Sequence, residues 1–266
     1  MIMRRGQERR LTPYTEYLLK EHLPSFRHPQ AIIREALLRR GFLLEPVGGL
    51  TPGEALFRPG LLGTPQDDFS FFQAIGFNLL PDGFEIPVRT LGEALKVAER
   101  ILVDRVRMGM TQYLLKHRMR QDFLKTRFGA RIFSPDMDCG LASLVKRLPL
   151  ISVRTVWSCD GHGEAPPLIG MDSEWDRVLF LEVMKLSHLR GVTSSLDLRR
   201  DERHERHGVR FAPRSDPEFA APEASMIDVC NALHQLALMI ENEPTRERAL
   251  RLKRERGMRK EEPPQT

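Results

Sequence analysis

The spacing of apolar residues in the second half of the chain is the feature that most restricts its fold. Apolar residues three or four positions apart predict three helices, over 134–148, 173–190 and 225–241. Short β-branched or alternating runs predict four strands, at 151–158, 168–171, 195–199 and 209–212. Each helix has one apolar face that a sheet can bury, so this order predicts an α+β domain over 130–243, with a mixed sheet covered by helices.

The first 89 residues predict a helical and irregular N-terminal region. Residues 28–40 have helical spacing and are followed by Gly41, as is typical of a left-handed C-cap. Residues 42–47 predict a short strand, and 48–82, which are dense in Gly and Pro, predict a long loop or several turns with inward-packing phenylalanines. A capping-box pattern at residues 90–93 predicts the start of a long linking helix, or a helix pair, over 90–129.

Positive charge is concentrated at the two ends of the chain. The 266 residues include 41 Lys and Arg and 36 Asp and Glu, which gives a net charge of +5. The first ten residues contain four Arg and one Glu, and the predicted basic C-terminal tail, 244–266, contains eight Lys or Arg and four Glu. Such arms can bind the phosphates of RNA or DNA, because neutralising phosphates releases counterions. A tail that only improves solubility is the alternative.

The composition also excludes several classes of protein. No apolar run is long enough to span a membrane, so no membrane partner is predicted, and no apolar stretch follows the basic start as in a secretory signal. Three cysteines cannot pair completely or form a four-cysteine zinc site, which favours a cytoplasmic protein. The sequence has no Walker loop, GxGxxG, GxSxG or HExxH motif. It specifies no cofactor and no oligomeric state.

The strongest chemical signal is the sequence TVWSCDGHG at residues 155–163, where a predicted strand enters a loop. Gly161 and Gly163 permit a sharp turn that exposes backbone amides. Cys159 and His162 can meet across that turn, where the imidazole can support a thiolate, and Asp160 can orient it or accept a proton. The alternative is an ordinary connection in which Asp160 bonds its own backbone and Cys159 is buried as a small apolar residue.

The sequence therefore predicts a site with three sets of residues. The predicted catalytic residues are Cys159, Asp160, His162, Asp136 and Asp138. The predicted substrate-binding residues are Thr155, Ser158, Gly161 and Gly163. The predicted nucleic-acid-binding residues are Arg199, Arg200 and Arg203, with a solvated charged turn as the alternative. No metal is predicted, because one Cys and one His are too few ligands unless Asp136 or Asp138 completes a site.

Part of this region resembles known families. The sequence FSPDMD at 133–138, a helix, and TVWSCDGH at 155–162 are similar to the wybutosine-synthesis tRNA methyltransferase family, in which a helix started by Asp precedes a strand ending in TxSSCSG. Thr155, Ser158, Cys159 and Gly161 match that pattern over a resemblance spanning about residues 133–170, whereas position 160 and position 162 depart from it. The resemblance implies transfer of a methyl group from S-adenosylmethionine to a modified guanosine in tRNA. The loop also resembles uncharacterised bacterial and phage proteins with a TxxSCxGHG loop, which imply no activity.

Two functions from different classes follow from these patterns. The first is an enzyme that acts on nucleic acid or a nucleotide-like ligand through the Cys-Asp-Gly-His loop. The second is a non-enzymatic nucleic-acid- or protein-binding protein of a mobile-element or phage-related system, in which the loop is structural. The enzyme requires Asp136, Cys159 and His162 within about 10 Å of one another around an open concavity.

Overall fold

The computed structural model describes residues 11–42, 44–46, 54–59, 72–80, 83–103, 138–161, 165–193, 195–201, 207–213 and 223–261. Helices and antiparallel sheets both contribute to it, so the predicted α+β class is confirmed. None of the helices in these ranges is long and apolar enough to cross a membrane. The part of the predicted linking helix beyond residue 103 lies outside the described residues.

The first described elements are three short helical segments. Helix α1 spans Pro13–Tyr17, and the Thr12 hydroxyl accepts a hydrogen bond from the Thr15 amide at its start. A π-helical segment, Leu18–His22, and a 3-10 turn, Leu23–Ser25, follow directly. The hydroxyl satisfies one of the amides that a helix start leaves without an intrahelical partner.

Helices α2 and α3 begin and end close to where local signals place them. Helix α2 spans Pro29–Arg39, and Gly41 after it has a φ of 90°, so the predicted left-handed cap is confirmed. Helix α3 spans Leu91–Val103. The Glu93 amide donates to the Thr90 hydroxyl at 3.2 Å, and the Thr90 amide donates to the Glu93 carboxylate at 3.1 Å. This is the reciprocal capping box that the sequence predicts.

The N-terminal region contains a four-stranded antiparallel sheet in the order β1-β2-β4-β3. Its strands are β1 (Leu44–Pro46), β2 (Glu54–Pro59), β3 (Asn78–Leu80) and β4 (Gly83–Pro87), with a helical turn at 72–75. The prediction of a loop over 48–82 is therefore wrong at β2 and β3. Short strands separated by Gly and Pro have too few residues for their alternation to be visible. Phe72 and Phe77 are buried, as expected.

The C-terminal half forms a second four-stranded sheet, in the order β5-β6-β8-β7, with helices packed on it. Its elements are α4 (Cys139–Arg147), a 3-10 turn (Leu148–Ile151), β5 (Thr155–Cys159), β6 (Leu168–Met171), α5 (Glu174–Leu189), β7 (Leu196–Asp201), β8 (Gly208–Pro213), α6 (Glu223–Glu241) and α7 (Glu243–Glu261). Every described strand pair is antiparallel, so the predicted mixing of strand directions is wrong. Strands β5 and β6 are separated by eight residues and β7 and β8 by six, which is too few for the crossover connection that parallel strands need.

Three element boundaries in this half differ from the prediction. Helix α4 begins at Cys139, after the N-cap Asp138, and not at residue 134. Strand β5 begins at Thr155 and not at residue 151. A 3-10 turn, Leu148–Ile151, follows α4 directly, and Ser152 after this turn has a φ of 62°. The segment predicted as a basic tail forms helix α7 through Glu261. Apolar contacts made by Ala249 with the core favour this helix and are not visible in the local sequence.

The cores of the two halves meet at helices α4 and α6. The N-terminal core gathers residues of α1, α2 and α3, and it also includes Cys139 of α4 and Cys230 of α6. The C-terminal core contains other residues of the same two helices, among them Leu144 and Leu233. Helices α1 and α2 therefore pack directly on the α4–α6 layer, and this layer also supports the loop after β5.

Candidate functional site

The loop after β5 begins at Cys159, which pairs with Leu168 of β6. Gly161 has a φ of 80°, so the chain turns there in a conformation that favours glycine. The thiol of Cys159 is half-buried and accepts a hydrogen bond from the Gly161 amide at 3.4 Å. Burial raises the pKa of this thiol, and the carboxylates of Asp138 and Asp160 raise it further. The thiol is therefore protonated at neutral pH, which weakens it as a nucleophile.

The two described carboxylates of the predicted site lie where β5 ends and α4 begins. The Asp160 amide donates to the Asp138 carboxylate at 3.4 Å. The side chain of Asp160 is only 4% exposed and lies against Gly140 in the first turn of α4. A carboxylate at the start of a helix is stabilised by the helix dipole. Asp138, Cys159 and Asp160 are thus neighbours, and the buried Asp160 connects the loop to α4.

The other predicted site residues are distributed as follows. Thr155 is buried within β5, and Ser158 is half-buried. Position 199 and the exposed Arg200 belong to strand β7, and not to a turn. The remaining predicted residues, Asp136, His162, Gly163 and Arg203, lie outside the described residues. The required proximity of Asp136, Cys159 and His162 therefore stays a prediction.

A buried polar cluster at the α2–α6 interface was not predicted. We refer to its residues as the Arg39 cluster: Tyr14, His22, Glu35, Arg39 and Asn231. The buried Arg39 donates from Nε to Oε1 of Glu35 at 2.6 Å and from Nη1 to Oδ1 of Asn231 at 2.7 Å. It also donates to the Tyr14 hydroxyl, and the His22 Nε2 lies 2.9 Å from Glu35 Oε1. One guanidinium therefore links α1, α2 and α6.

A second buried polar cluster continues from the first into the C-terminal core. We refer to Ser143, Arg147, His234 and Glu241 as the His234 cluster. Nδ1 of His234 is 2.9 Å from the Ser143 hydroxyl, and Arg147 donates to the Ser143 carbonyl at 3.2 Å and to the Glu241 carboxylate at 2.8 Å. Nε2 of His234 lies 3.9 Å from Glu35 Oε1, so the two clusters are adjacent.

The environment shifts the pKa values of these groups in different directions. Burial alone would raise the pKa of Glu35, but the hydrogen bond with His22 and the charge of Arg39 lower it to about 2. Burial lowers the pKa of His234 to about 3, and the nearby Arg39 and Arg147 also contribute. Glu35 is therefore charged and His234 neutral at pH 7. Strongly shifted groups are enriched at functional sites, although structural ion-pair networks shift them too.

A sequence signal for these clusters is present but weak. Glu35 and Arg39 are four residues apart on α2, which is typical of an exposed helical ion pair. Cys230 and His234 are four residues apart on α6, and both are buried. The burial of Arg39 depends on α1 and α6 covering it, which the sequence of α2 does not indicate. In the described part of the chain, no group of three His, Cys, Asp or Glu residues is arranged to hold a metal ion.

Helix α7 presents basic side chains on its outer surface. It contains eight Lys or Arg and four Glu, which is a net charge of +4, against +5 for the whole chain. Ala249 is buried and Leu252 packs on the C-terminal core, whereas Arg248, Arg251 and Arg254 are exposed. Residues three apart on a helix are neighbours, so these arginines form a row along one side of α7.

Comparison with protein-family models, curated proteins and solved structures finds no match to this chain. The resemblance of residues 133–170 to the tRNA methyltransferase family therefore stays a prediction. The features of this protein that bear on its function are the loop after β5, the two buried clusters and helix α7.

Proposed function

We propose that this protein binds nucleic acid through helix α7, whose exposed arginines neutralise phosphates of an RNA or DNA backbone. The observation that carries the proposal is the concentration of charge in α7, whose 19 residues have a net charge of +4. Binding of this kind is largely independent of sequence and gains free energy from counterion release.

The anchoring of α7 supports the proposal. The helix contacts α5, α6 and the 3-10 turn after α4, and Ala249 is completely buried among them. Arg248, Arg251 and Arg254 are therefore attached to a helix that is already folded and docked, so binding does not have to order a flexible tail. Glu255 lies 3.2 Å from Arg251, but both side chains are more than half exposed and their pairing is weak against phosphate.

The direct test replaces all three exposed arginines, Arg248, Arg251 and Arg254, by Gln. Fluorescence anisotropy with labelled single-stranded RNA and double-stranded DNA measures the affinity across a range of NaCl concentrations. Each lost phosphate contact lowers the slope of log K against log salt by about 0.7 to 0.9, so we expect a slope smaller by roughly 2 to 3 and an affinity reduced about tenfold or more.

The matched control replaces Arg27, Arg34 and Lys96 by Gln. These residues are exposed in the N-terminal half, and their loss changes the net charge by the same amount. We expect this variant to bind almost as tightly as the wild type. Equal weakening of both variants, or wild-type binding that does not respond to salt, would contradict the proposal.

A second candidate is the enzyme with its site at the loop after β5, and the contact between Asp138 and the Asp160 amide favours it. In this candidate the protonated Cys159 and the two carboxylates surround a nucleotide-like substrate, and α7 holds the rest of the nucleic acid. Cys159→Ala distinguishes the two candidates in the binding assay. Retained binding is expected if α7 suffices, and loss of binding by a folded variant would assign recognition to the loop.

A further inference from the structure

An open apolar cavity lies between helix α5 and strand β7. Its volume is about 340 Å³, and its apolar lining comes from Val178, Leu181 and Met184 of α5 and Leu198 of β7. Glu182 and Lys185 of α5 lie among these residues. His188 also lines the cavity, and other apolar residues of α5, among them Leu179 and Val183, pack on the C-terminal core. Covering an apolar depression that solvent still reaches is favourable, because apolar surface is removed from water.

The cavity borders the edge of the C-terminal sheet. In the order β5-β6-β8-β7, strand β7 is last, and among the described strands it pairs only with β8. Its other side presents backbone N–H and C=O groups that no described strand satisfies. An edge of this kind, next to an apolar surface, is a common site of association between copies of a chain.

We propose that the surface formed by α5 and β7 is the interface of a homodimer, in which the α5 helices of two copies pack antiparallel across a two-fold axis. The charges on α5 are self-complementary for this arrangement. With the axis between residues 183 and 184, Glu182 faces the partner's Lys185, and Lys185 faces the partner's Glu182. An isologous interface requires this reciprocal matching.

The arrangement brings the two β7 edges to the same side of the interface, beneath the paired helices. Association of the two copies would then cover the apolar lining of both cavities. Within one chain, Glu182 and Lys185 are 3.1 Å apart, and the Lys185 side chain is 71% exposed. The Glu182 side chain is only 20% exposed, so water reaches Lys185 more than Glu182, and in the dimer Lys185 lies near the partner's Glu182.

Charge exchange tests the proposal with little risk to folding. Glu182→Lys and Lys185→Glu each place like charges across the axis, and we expect each to weaken dimerisation about tenfold or more. The double variant E182K/K185E restores opposite charges at every position, so its dimer should recover. Sedimentation velocity and light scattering over a range of concentrations, without nucleic acid, measure the oligomeric state, and circular dichroism checks the fold.

The control is Arg190→Glu, which makes the same change of charge as Lys185→Glu at an exposed position just after α5 and outside the cavity lining. We expect it to leave the dimer unchanged. A wild-type protein that is monomeric at the highest concentration reached would overturn the proposal and leave the cavity for a different ligand. A dimer unaffected by both single charge reversals, or a double variant weaker than both, would overturn it as well. Because nucleic acid is absent, failure here leaves the α7 proposal untouched.

Discussion

Single residues in this chain combine burial with charge in two different ways. Glu35 and Arg39 keep their charges inside the protein because each is hydrogen-bonded to the other. His234 is almost completely buried and its pKa is lowered to about 3, so it stays neutral. A buried charge with a partner is tolerated, but removing the partner leaves an uncompensated charge. These residues should therefore control how stability depends on pH.

The folded protein should lose stability as the pH falls below 6.5, because unfolded His234 binds a proton at its ordinary pKa while the folded residue resists protonation down to about pH 3. At about 1.4 kcal/mol per pKa unit, the free energy of unfolding should fall by on the order of 2 kcal/mol between pH 7 and pH 5. Urea denaturation at several pH values measures this change. Glu35, with its pKa lowered to about 2, adds a further loss below pH 4.5.

His234→Gln should abolish the decrease in the free energy of unfolding between pH 6.5 and 4.5. Gln does not titrate in this range and can still form a hydrogen bond with Ser143. His28→Gln, at an exposed position, is the control and should retain the wild-type dependence. Identical pH profiles for the wild type and His234→Gln would show that His234 does not resist protonation in the folded protein.

Other elements approach helix α4 closely at two glycines. A Cβ atom placed on Gly41, after α2, would lie 2.7 Å from the carbonyl oxygen of Ala142 in α4. A Cβ atom placed on Gly140 would lie 2.7 Å from the sulfur of Cys230 and 2.8 Å from Cβ of Asp160. Glycine at these positions lets α2, α6 and the loop after β5 all contact one short helix. The candidate loop is therefore positioned by α4.

Gly140→Ala should destabilise the protein by about 1 to 3 kcal/mol, because the added methyl group needs space that Cys230 and Asp160 occupy. Gly92→Ala is the matched control, since a Cβ atom there meets nothing within 4 Å and alanine favours the helix by up to about 1 kcal/mol. Urea denaturation gives both changes. If the two substitutions changed the free energy of unfolding equally, the close contact between α4 and the loop after β5 would not contribute to stability.

At the scale of the whole molecule, the N-terminal and C-terminal halves share the α4–α6 layer. Cys139 and Cys230 belong to the N-terminal core although their helices also build the C-terminal core. The Arg39 cluster crosses the same interface through Asn231. Contacts of this kind connect the unfolding of one half to the unfolding of the other.

Arg39→Ala should lower the stability of both halves together, by about 3 to 5 kcal/mol, because it leaves buried Glu35 without its cation. Both tryptophans, Trp157 and Trp175, are in the C-terminal half, so their fluorescence reports on that half while far-UV circular dichroism reports on the whole chain. The two unfolding transitions should shift together. A fluorescence transition that stays in place, or an equal effect of the exposed control Arg34→Ala, would contradict this linkage.

Local signals predicted those parts of the fold that local interactions stabilise. The cap at Gly41 and the capping box at Thr90 depend on residues within a few positions of each other, and the structure contains both. The apolar stripe of α6 predicted its buried face for the same reason. The sequence also predicts Asp138, Cys159 and Asp160 as residues of one site, and the Asp160 amide donates to the Asp138 carboxylate at 3.4 Å.

Other properties depend on which elements meet, and no local pattern contains that information. Strand direction in the C-terminal sheet follows from pairing between distant segments, and the strands between 48 and 82 depend on partners on either side. The sequence of α2 predicts that Arg39 is exposed, but α1 and α6 cover it in the folded protein. The predicted tail forms a helix because Ala249 packs into the C-terminal core. Residue order determined the helices, caps and apolar faces through short-range geometry and hydrogen bonds. Tertiary packing alone decided which charges are buried and paired, because burial requires surfaces from remote parts of the chain.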